Sequence, residues 1–556
     1  MKELILKHTL VNATGHKGKA DVQAVLGKLI AEKPELKSKI KDIIPEIKKI
    51  VKEVNSWSLK KQEAQLKKMG VKIAEEKVET KRGLPPLPNV EKYKQVVMRL
   101  APYPSGPLHI GNARMVVLND EYVKKYKGKL FLVIDDTIGS EEKFIIPEGY
   151  GLIIDGLKWL GVKWDRLFYK SDRMQFFYDA AEDLIKKNLA YVCECDTEDL
   201  RKNRVEGIEC IHRNQNIEEN LIKWDDMLSG KYKEGQAVLR LKTDMKHPNP
   251  AFRDRVLLRV VERKHPRIGE KYRVWPMLEL SWAIDDQLLG ITHILRGKDL
   301  VMEDMMEEFI WSKLGQKKPE FIHYGLLNIE EMKLSKTEAR IAIEKGEYSG
   351  WDDPRTWSLQ SLRKRGIQPD AIRNFIIGMG LSLADVTVPA EILYAENRKI
   401  IDSKANRYFT VFDPIELSIG KSPKINKTKA PLHPDFPKKG HRTIPVNTKK
   451  VYIEREDFEK FKGREVRLMD LFNIKVKDRP EFTSKKMKVE TPKIQWVSEP
   501  NAKIKIVMPD GKSKEAIAEP EIKNIKPGEL LQLVRIGFCK CDKKTDDELI
   551  LYFAHK

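Results

Sequence analysis

Between Gln95 and Ile134 the sequence confines forty-odd residues of chain to one arrangement. Gln95-Val96-Val97-Met98-Arg99-Leu100 is a short strand-like run. It ends in the turn-rich Pro102-Tyr103-Pro104-Ser105-Gly106-Pro107, after which helical spacing holds from His109 through Tyr126. Leu130-Phe131-Leu132-Val133-Ile134 follows as a second buried strand. Strand, Gly/Pro turn, helix, strand is a βαβ unit, which implies a parallel sheet. A ligand site is then expected beyond the C-terminal ends of the strands.

The rest of the chain is organised around that unit. At 556 residues it is too long for a single core. Residues 20–80 read as helices, with Ile30, Leu36, Ile40, Ile43, Ile44, Ile47 and Ile50 at three- and four-residue spacing between lysines. Gly83-Leu84-Pro85-Pro86-Leu87-Pro88 breaks that pattern and reads as a linker. Helices dominate again from about 340 to 395. Beyond 415 come short strands such as Thr443–Val446, Lys450–Ile453, Val466–Leu468, Ile494–Val497, Ile504–Met508, Leu530–Ile536 and Leu549–Phe553, the pattern of β-barrels. No run approaches the roughly 18 apolar residues of a membrane span, no apolar leader opens the chain, and five cysteines suit a reducing compartment. The expectation is a cytoplasmic protein with no membrane partner.

The net charge of +21 is concentrated at the ends. Residues 1–90 hold 20 Lys+Arg against 11 Asp+Glu, residues 421–556 hold 32 against 20, and the stretch between holds 52 of each. Basic flanks bind polyanions through phosphate neutralisation. A Lys-rich solvated surface is the alternative that charge alone leaves open.

Two segments carry the chemistry. Arg99 through Arg114 places His109, Gly111 and the amides of a helix N-terminus just past the first strand, where phosphates can meet amide donors and an imidazole. Gly111 leaves room for a nucleoside to approach the backbone. No Gly-Lys-Ser/Thr follows, so this is not a Walker A loop. Some 220 residues on, Met332-Lys333-Leu334-Ser335-Lys336-Thr337 sets two lysines around a hydroxyl, a compact cationic loop suited to a triphosphate that loses pyrophosphate. A third constellation is Cys193-Glu194-Cys195 with Cys210-Ile211-His212: three thiols and an imidazole suit tetrahedral Zn²⁺, while three reduced cysteines beside a histidine is the plainer reading. Cys539 and Cys541 read as ordinary strand residues.

Together the first two segments resemble the HIGH and KMSKS signatures of class I aminoacyl-tRNA synthetases. With Leu118–Tyr122, Asp135-Asp136-Thr137 and Ile284 through Asp299 they are similar to the glutamyl/glutaminyl-tRNA synthetase family. The helical extension and barrel tail match its archaeal members. The resemblance implies a Rossmann-type α/β catalytic domain with an α+β insertion, a helical stem-contact region, all-β C-terminal barrels and a helical N-terminal extension. The corresponding boundaries are 1–90 for the extension, 91–185 and 276–340 for the catalytic halves, 186–275 for the acceptor-binding insertion, 341–415 for the stem-contact region and 416–556 for the anticodon-binding barrels.

It also implies ATP-dependent glutamylation of tRNA(Glu) through glutamyl-adenylate, with Mg²⁺ accompanying ATP. Whether tRNA(Gln) is glutamylated too stays open. His109, Lys333 and Lys336 take catalytic roles, with Ser105, Gly106, Gly111, Asn112 and Ser335 completing the ATP site. Arg99, Asp135 and Arg296 take the glutamate. Family members with glutamine specificity typically lack an arginine at the position of Arg296, and a buried guanidinium facing an amide loses a bidentate charge-assisted bond. Asn112, Tyr103, Leu278, Val133 and Ile138 depart from common family residues. Bacterial glutamyl relatives carry a C-x-C…C-x-H pattern like that of Cys193, Cys195, Cys210 and His212. Trp496, Arg442, Arg467 and Arg535 are candidates for anticodon contact, Trp496 reading more readily as core. The N-terminal 90 residues read equally as a tRNA- or protein-binding extension. The rivals are a glutaminyl enzyme of the same fold, a silent RNA-binding paralogue, and an adenylyltransferase with another acceptor.

Overall fold

A computed structural model describes residues 1–15, 18–33, 40–69, 83–139, 144–330, 332, 334–545 and 548–556. The chain forms two compact units, 1–83 and 84–556. The first is helical: α1 (Lys2–Gly15), α2 (Val22–Glu32), α3 (Ile40–Asn55) and α4 (Leu59–Lys68). They close on Ile5, Leu10, Val25, Leu29, Ile43, Ile47, Val54 and Leu66. Ile43 and Ile47 from the predicted stripe are buried there, Ile30, Ile44 and Ile50 pack at its edge, and Leu36 lies outside the described residues. Of the Pro-rich linker, Leu87 belongs to the second unit: its side chain enters the α/β core and its N–H donates to the Tyr126 hydroxyl at 2.9 Å.

The second unit opens with β1 (Val97–Leu100), α5 (Ile110–Tyr126), β2 (Lys129–Ile134), α6 (Pro147–Trp159) and β3 (Arg166–Tyr169). β1 pairs parallel with β2 and β2 with β3. An inserted body follows, built from α7 (Met174–Lys186), β4 (Ala190–Cys193), α8 (Thr197–Glu206), α9 (Ile217–Ser229), β5 (Val238–Leu241), β6 (Val256–Val260) and β7 (Val274–Pro276). Its four strands form an antiparallel sheet in chain order. The chain then returns through α10 (Leu278–Leu288) to β8 (His293–Gly297), α11 (Val301–Leu314) and β9 (Glu320–Tyr324), with β8 parallel to β9.

β8 lies against the free side of β1: the Thr292 N–H donates to the Val97 carbonyl at 2.9 Å and the Thr292 hydroxyl accepts from the Val97 N–H at 2.9 Å. The spatial order is therefore β3-β2-β1-β8-β9. The connection from β1 runs one way and the chain returns on the other side, which puts the topological switch between β1 and β8. Ligands of such sheets bind at that crevice. The apolar runs Leu130–Ile134 and Met98–Leu100 are buried because helices cover the sheet on both faces.

After the catalytic sheet, α12 (Lys336–Glu344) and the helices Leu359–Arg365, Pro369–Met379 and Ala390–Ile401 lead to the β region. Segment 406–411 pairs along Asn406–Tyr408 with Leu530–Leu533 and along Thr410–Val411 with Ser513–Ala518. The remaining pairings run from Leu530–Leu533 through Gly537–Lys544, Glu548–His555 and Ala502–Val507 back to Ser513–Ala518. Both ends of the sheet are halves of one continuous segment, so it closes as a barrel and leaves no open edge. Buried Cys539 and Cys541 are strand residues within it. A second β core, including Val451, Ile453, Val466, Leu468, Ile474 and Trp496, lies over residues 409–498.

Trp496 is fully buried and its indole N–H donates to the Met469 carbonyl at 2.8 Å, so it does not offer a face to a base. Arg442 is likewise interior, paired with Glu519. Arg467 braces the Leu471 and Lys485 carbonyls, and Arg535 forms a bidentate pair with Asp457. Anticodon contact is thus corrected away from Trp496 and Arg442, whose hydrogen-bonding and packing are spent inside the fold. Trp496→Ala is expected to cost about 3–5 kcal/mol of C-terminal stability, visible as a lowered melting transition; an unchanged melt with weakened tRNA affinity would restore it as a binding platform.

Candidate active site

β1 delivers Arg99 in its last turns and then runs into the Ala101–Leu108 loop. Gly106 holds φ +145 there, and a Cβ at that position would meet the Trp351 ring at 3.0 Å. α5 starts immediately after. His109 is its N-cap: the ring Nδ1 accepts from the Gly111 N–H at 3.1 Å, while the Asn112 side-chain oxygen accepts from the His109 N–H at 3.2 Å. This is a capping box made with His and Asn, satisfying two otherwise orphaned donors. It accounts for Asn112 as a capping residue in place of the more common family histidine. Gly111 also has a role within the protein: a Cβ there would lie 3.0 Å from the His109 ring. The glycine makes room for the imidazole to fold back, and Leu334 of the second loop lies beside it.

Because Nδ1 accepts, the proton of neutral His109 sits on Nε2. Burial, reinforced by the Lys336 charge, pulls the imidazolium down to about 3. Lys336 opens α12, whose N-cap Ser335 accepts from the Glu338 N–H at 3.2 Å. Burial lowers the Lys336 ammonium to about 8, leaving it charged at neutral pH. The two segments far apart in sequence therefore meet, through Lys336 beside His109 and Leu334 beside Gly111. Lys333 lies outside the described residues. Ser335 borders a separate cleft with Arg355, Trp357 and Asp510 and does not line the cavity that Lys336 faces.

That cavity, of about 500 Å³, lies at the crevice between β1 and β8. Ser105, Asp135, Arg296 and Lys336 line it, as do Tyr103, Leu278 and Trp282. Arg259, Arg296, Lys336 and Arg340 face it against the carboxylates of Asp135 and Glu303, so its walls are on balance cationic and suit anionic ligands. Burial pushes the Tyr103 hydroxyl up to about 12, keeping it protonated.

The floor is a buried ionic network. Arg99 gives Nε and one Nη to Asp286 of α10, at 2.5 and 2.7 Å. Asp135, just past β2, accepts from the Thr137 hydroxyl at 3.1 Å and lies 3.4 Å from fully buried Lys170, just past β3. Arg296, in β8, gives Nε to Asp304 at 2.6 Å and Nη1 to Glu307 at 2.9 Å, both on α11. The Trp282 ring lies among these cations, 3.3 Å from the Arg99 guanidinium, 4.2 Å from the Lys170 ammonium and 5.9 Å from the Arg296 guanidinium.

Arg296 and Asp135 reach the cavity wall; Arg99 lies behind Trp282 and is not part of that wall. Sequence reasoning missed Lys170, Trp282, Asp304 and Glu307. Asp304 and Glu307 fall three apart on a helix, a spacing that reads as a solvated acidic face until the helix is packed. Nothing in the local sequence singles out Lys170.

In the insertion, Cys193, Cys195, Cys210 and His212 converge, their ligand atoms all within 4.8 Å of one another. The Cys193 and Cys210 sulfurs are 3.8 Å apart, and the Cys195 sulfur is 3.5 Å from Nδ1 of His212. Arg240 Nη1 donates to the sulfurs of Cys193 and Cys210 at 3.7 and 3.8 Å. Hydrogen bonding from Cys193 holds the Cys210 thiol down to about 4, and that same bond, with burial, pushes the Cys193 thiol up.

A parallel sheet with a histidine-capped helix start at its switch point, met there by Lys336 of a distant loop, is the arrangement of a nucleotide-activating enzyme of the class I synthetase type. Family models agree. Residues 95–403 match "tRNA synthetases class I (E and Q), catalytic domain", and residues 405–492 and 493–542 match the two anti-codon binding domains of the same family. The chain is similar over its whole length, and theirs, to proteins named glutamate–tRNA ligase from Pyrococcus furiosus (42% identical over 577 residues) and Pyrococcus abyssi (43% over 574). A solved glutamate tRNA ligase from Elizabethkingia meningosepticum superposes with a TM-score of 0.41 at 18% identity, over 56% of this chain and 71% of its own. The chain belongs to the glutamyl/glutaminyl (E and Q) family of class I tRNA synthetases. Among the described residues no helix is long and apolar enough to cross a membrane.

The His109 geometry has a direct spectroscopic consequence. Nitrogen NMR of the folded chain is expected to show the Nε2–H tautomer with no titration between pH 5 and 8. An imidazole that titrates near its ordinary 6.5 would mean that the ring does not fold back onto Gly111.

Proposed function

We propose that this chain attaches L-glutamate to tRNA(Glu) in two steps at the cavity between β1 and β8. In the first, an oxygen of the glutamate α-carboxylate attacks the α-phosphorus of ATP and the bond to the β-phosphate oxygen breaks, giving glutamyl-adenylate and pyrophosphate. In the second, the terminal 2′-hydroxyl of the tRNA attacks the glutamyl carbonyl, loses its proton and displaces AMP. Neither step needs a strong base; both depend on positioning and on charge placed where it develops.

The residues take roles accordingly. The Nε2–H of His109, at the positive end of α5, donates to phosphate oxygens. Lys336 supplies positive charge to the α-phosphate as it becomes five-coordinate, and approach of the phosphates raises its ammonium back from about 8. Lys333, from the same loop, is assigned a supporting role. Mg²⁺ comes with the triphosphate, held largely by phosphate oxygens and water, and so needs no acidic cage in the wall.

Asp135 takes the substrate ammonium, and Arg296 meets the side-chain carboxylate. Arg99, held behind Trp282, contributes field and position. The observation that carries the glutamate reading is Arg296, a buried guanidinium at the cavity wall in a chain whose full-length relatives carry that amino acid in their names. A site built for a charged side chain rejects one lacking the charge by up to about 10⁴-fold when its own polar groups are left unpaired. The barrels at 405–542 bind the anticodon arm, and tRNA(Gln) is a second acceptor only if those barrels accept its anticodon as well.

The cysteine–histidine cluster supports a structural Zn²⁺ held by Cys193, Cys195, Cys210 and His212. A tetrahedron with Zn–S near 2.3 Å and Zn–N near 2.0–2.1 Å has S–S edges of about 3.8 Å and S–N edges of about 3.5 Å; the Cys193–Cys210 and Cys195–His212 separations match these, and the wider ones, up to 4.8 Å, would draw in around the metal. The metal would cross-link the end of β4 to the turn before α9. Arg240 would offset the negative charge of three thiolates on one Zn²⁺.

Charging with labelled glutamate and, separately, glutamine tests the reaction. Glutamate is expected on tRNA(Glu), and exclusive loading of glutamine would overturn the assignment. Elemental analysis of purified protein is expected to give one zinc per chain, with chelation lowering the melting temperature; a content near zero, with no response to chelator, would leave the cluster as reduced thiols.

A further inference from the structure

Glu307 is a buried acid that the reaction as described does not use. It lies one turn beyond Asp304 on α11 and has no solvent exposure. Its Oε1 accepts from Nη1 of Arg296, while Oε2 has no hydrogen-bond partner among the described residues. The charged groups around it come from every neighbouring element: Arg296 from β8, Arg99 from β1, Asp286 from α10 and Asp304 from its own helix. Asp304 in turn accepts from Nε2 of His323, in β9, at 2.5 Å.

The charge balance of this group matters for an anionic substrate. Leaving aside a charge on His323, the ionised carboxyls of Asp286, Asp304 and Glu307 would outnumber Arg99 and Arg296 by one, and the cluster would carry a surplus negative charge. A substrate carboxylate approaching Arg296 would then meet like charge in a medium that screens poorly. One proton removes the conflict, and Oε2 of Glu307 is where it can sit without breaking any hydrogen bond.

We propose that Glu307 is a specificity-determining positioning residue that must hold a proton on Oε2, so that its Oε1 keeps Arg296 in place without cancelling the charge Arg296 presents to an anionic side chain. This rests on the reading of Arg296 as the residue that meets the glutamate carboxylate. Burial supports it by pushing the Glu307 carboxyl up to about 8, with Asp286 adding to the rise and the two arginines opposing it. The sign follows directly. Below pH 8 the acid is protonated and the pocket accepts an anion; above it Glu307 ionises, neutralises Arg296 and weakens glutamate binding.

The test is the KM for glutamate in aminoacylation by the full chain, at saturating ATP and tRNA(Glu), from pH 6.5 to 9. For the wild type KM is expected to rise about tenfold between pH 7 and 9, as loss of one proton near pH 8 requires. Glu307→Gln keeps an acceptor for Arg296 but cannot ionise, and its KM should stay within about twofold over that range. Glutamine, used as a competitive inhibitor, shares the α-ammonium but lacks the carboxylate, so its Ki should not follow the rise.

A flat wild-type KM overturns the proposal even if the variant fails to fold. So does a rise that persists in Glu307→Gln or is matched by the glutamine Ki. Arg296→Gln separates the two levels: a glutamate KM equal to wild type would show that the reading of Arg296 itself had failed. A raised KM there, with a persistent pH dependence in Glu307→Gln, would overturn the role of Glu307 alone.

Discussion

The arrangement of cations around the Trp282 ring is the constraint on which the rest of the catalytic unit depends. Arg99, Lys170 and Arg296 leave three different strands of the parallel sheet, at or just past their ends, and converge on one indole supplied by α10. Each brings its own carboxylate, because an unpaired charge at that depth would be strongly destabilising. Satisfying all the pairs at once fixes α10 and α11 against the sheet. The cavity is the space left when those helices are fixed. Asp135 and Arg296 are held on its wall by Lys170, Asp304 and Glu307, which do not line the cavity themselves, and this is how a site keeps its geometry.

Around this floor the His109 end is assembled by simpler means. A histidine folds back onto the first turn of its own helix, a glycine leaves it room, and a capping asparagine closes the turn. The cationic loop then approaches over the same glycine through Leu334. The imidazole is thereby fixed as a neutral donor, and the permanent charge beside it comes from Lys336. The end around Trp282 is saturated with ion pairs; the end around His109 holds an imidazole donor and a lysine whose ammonium burial lowers to about 8.

Farther out, the fold uses different devices to hold its elements together. The barrel has no open edge because one segment, 406–411, supplies both of its ends. It is tied to the helical region through Arg365, which donates to the Phe553 and Ala554 carbonyls of the last strand. The cysteine–histidine cluster joins a strand end and a turn in the insertion, where little apolar material is available to do so.

Much of this was legible in the sequence. The βαβ run fixed a parallel sheet and the location of its ligand crevice, since apolar strands separated by a Gly/Pro turn and an amphipathic helix pack in one way. The two signature segments identified nucleotide chemistry, and Cys193, Cys195, Cys210 and His212 stood out by spacing alone. Local pattern can convey such things because strand, turn, cap and metal-ligand preferences are set by neighbours a few residues away. It could not convey that Gly111 serves the His109 ring, that Ser335 faces a different cleft from Lys336, or that Arg99 sits behind Trp282. Nor could it reveal Lys170, Asp304 and Glu307, each an ordinary charged residue in its own segment. Their roles exist only where strands and helices distant in the chain bring charges into a space without water, and the strength of a buried charge is decided by what surrounds it.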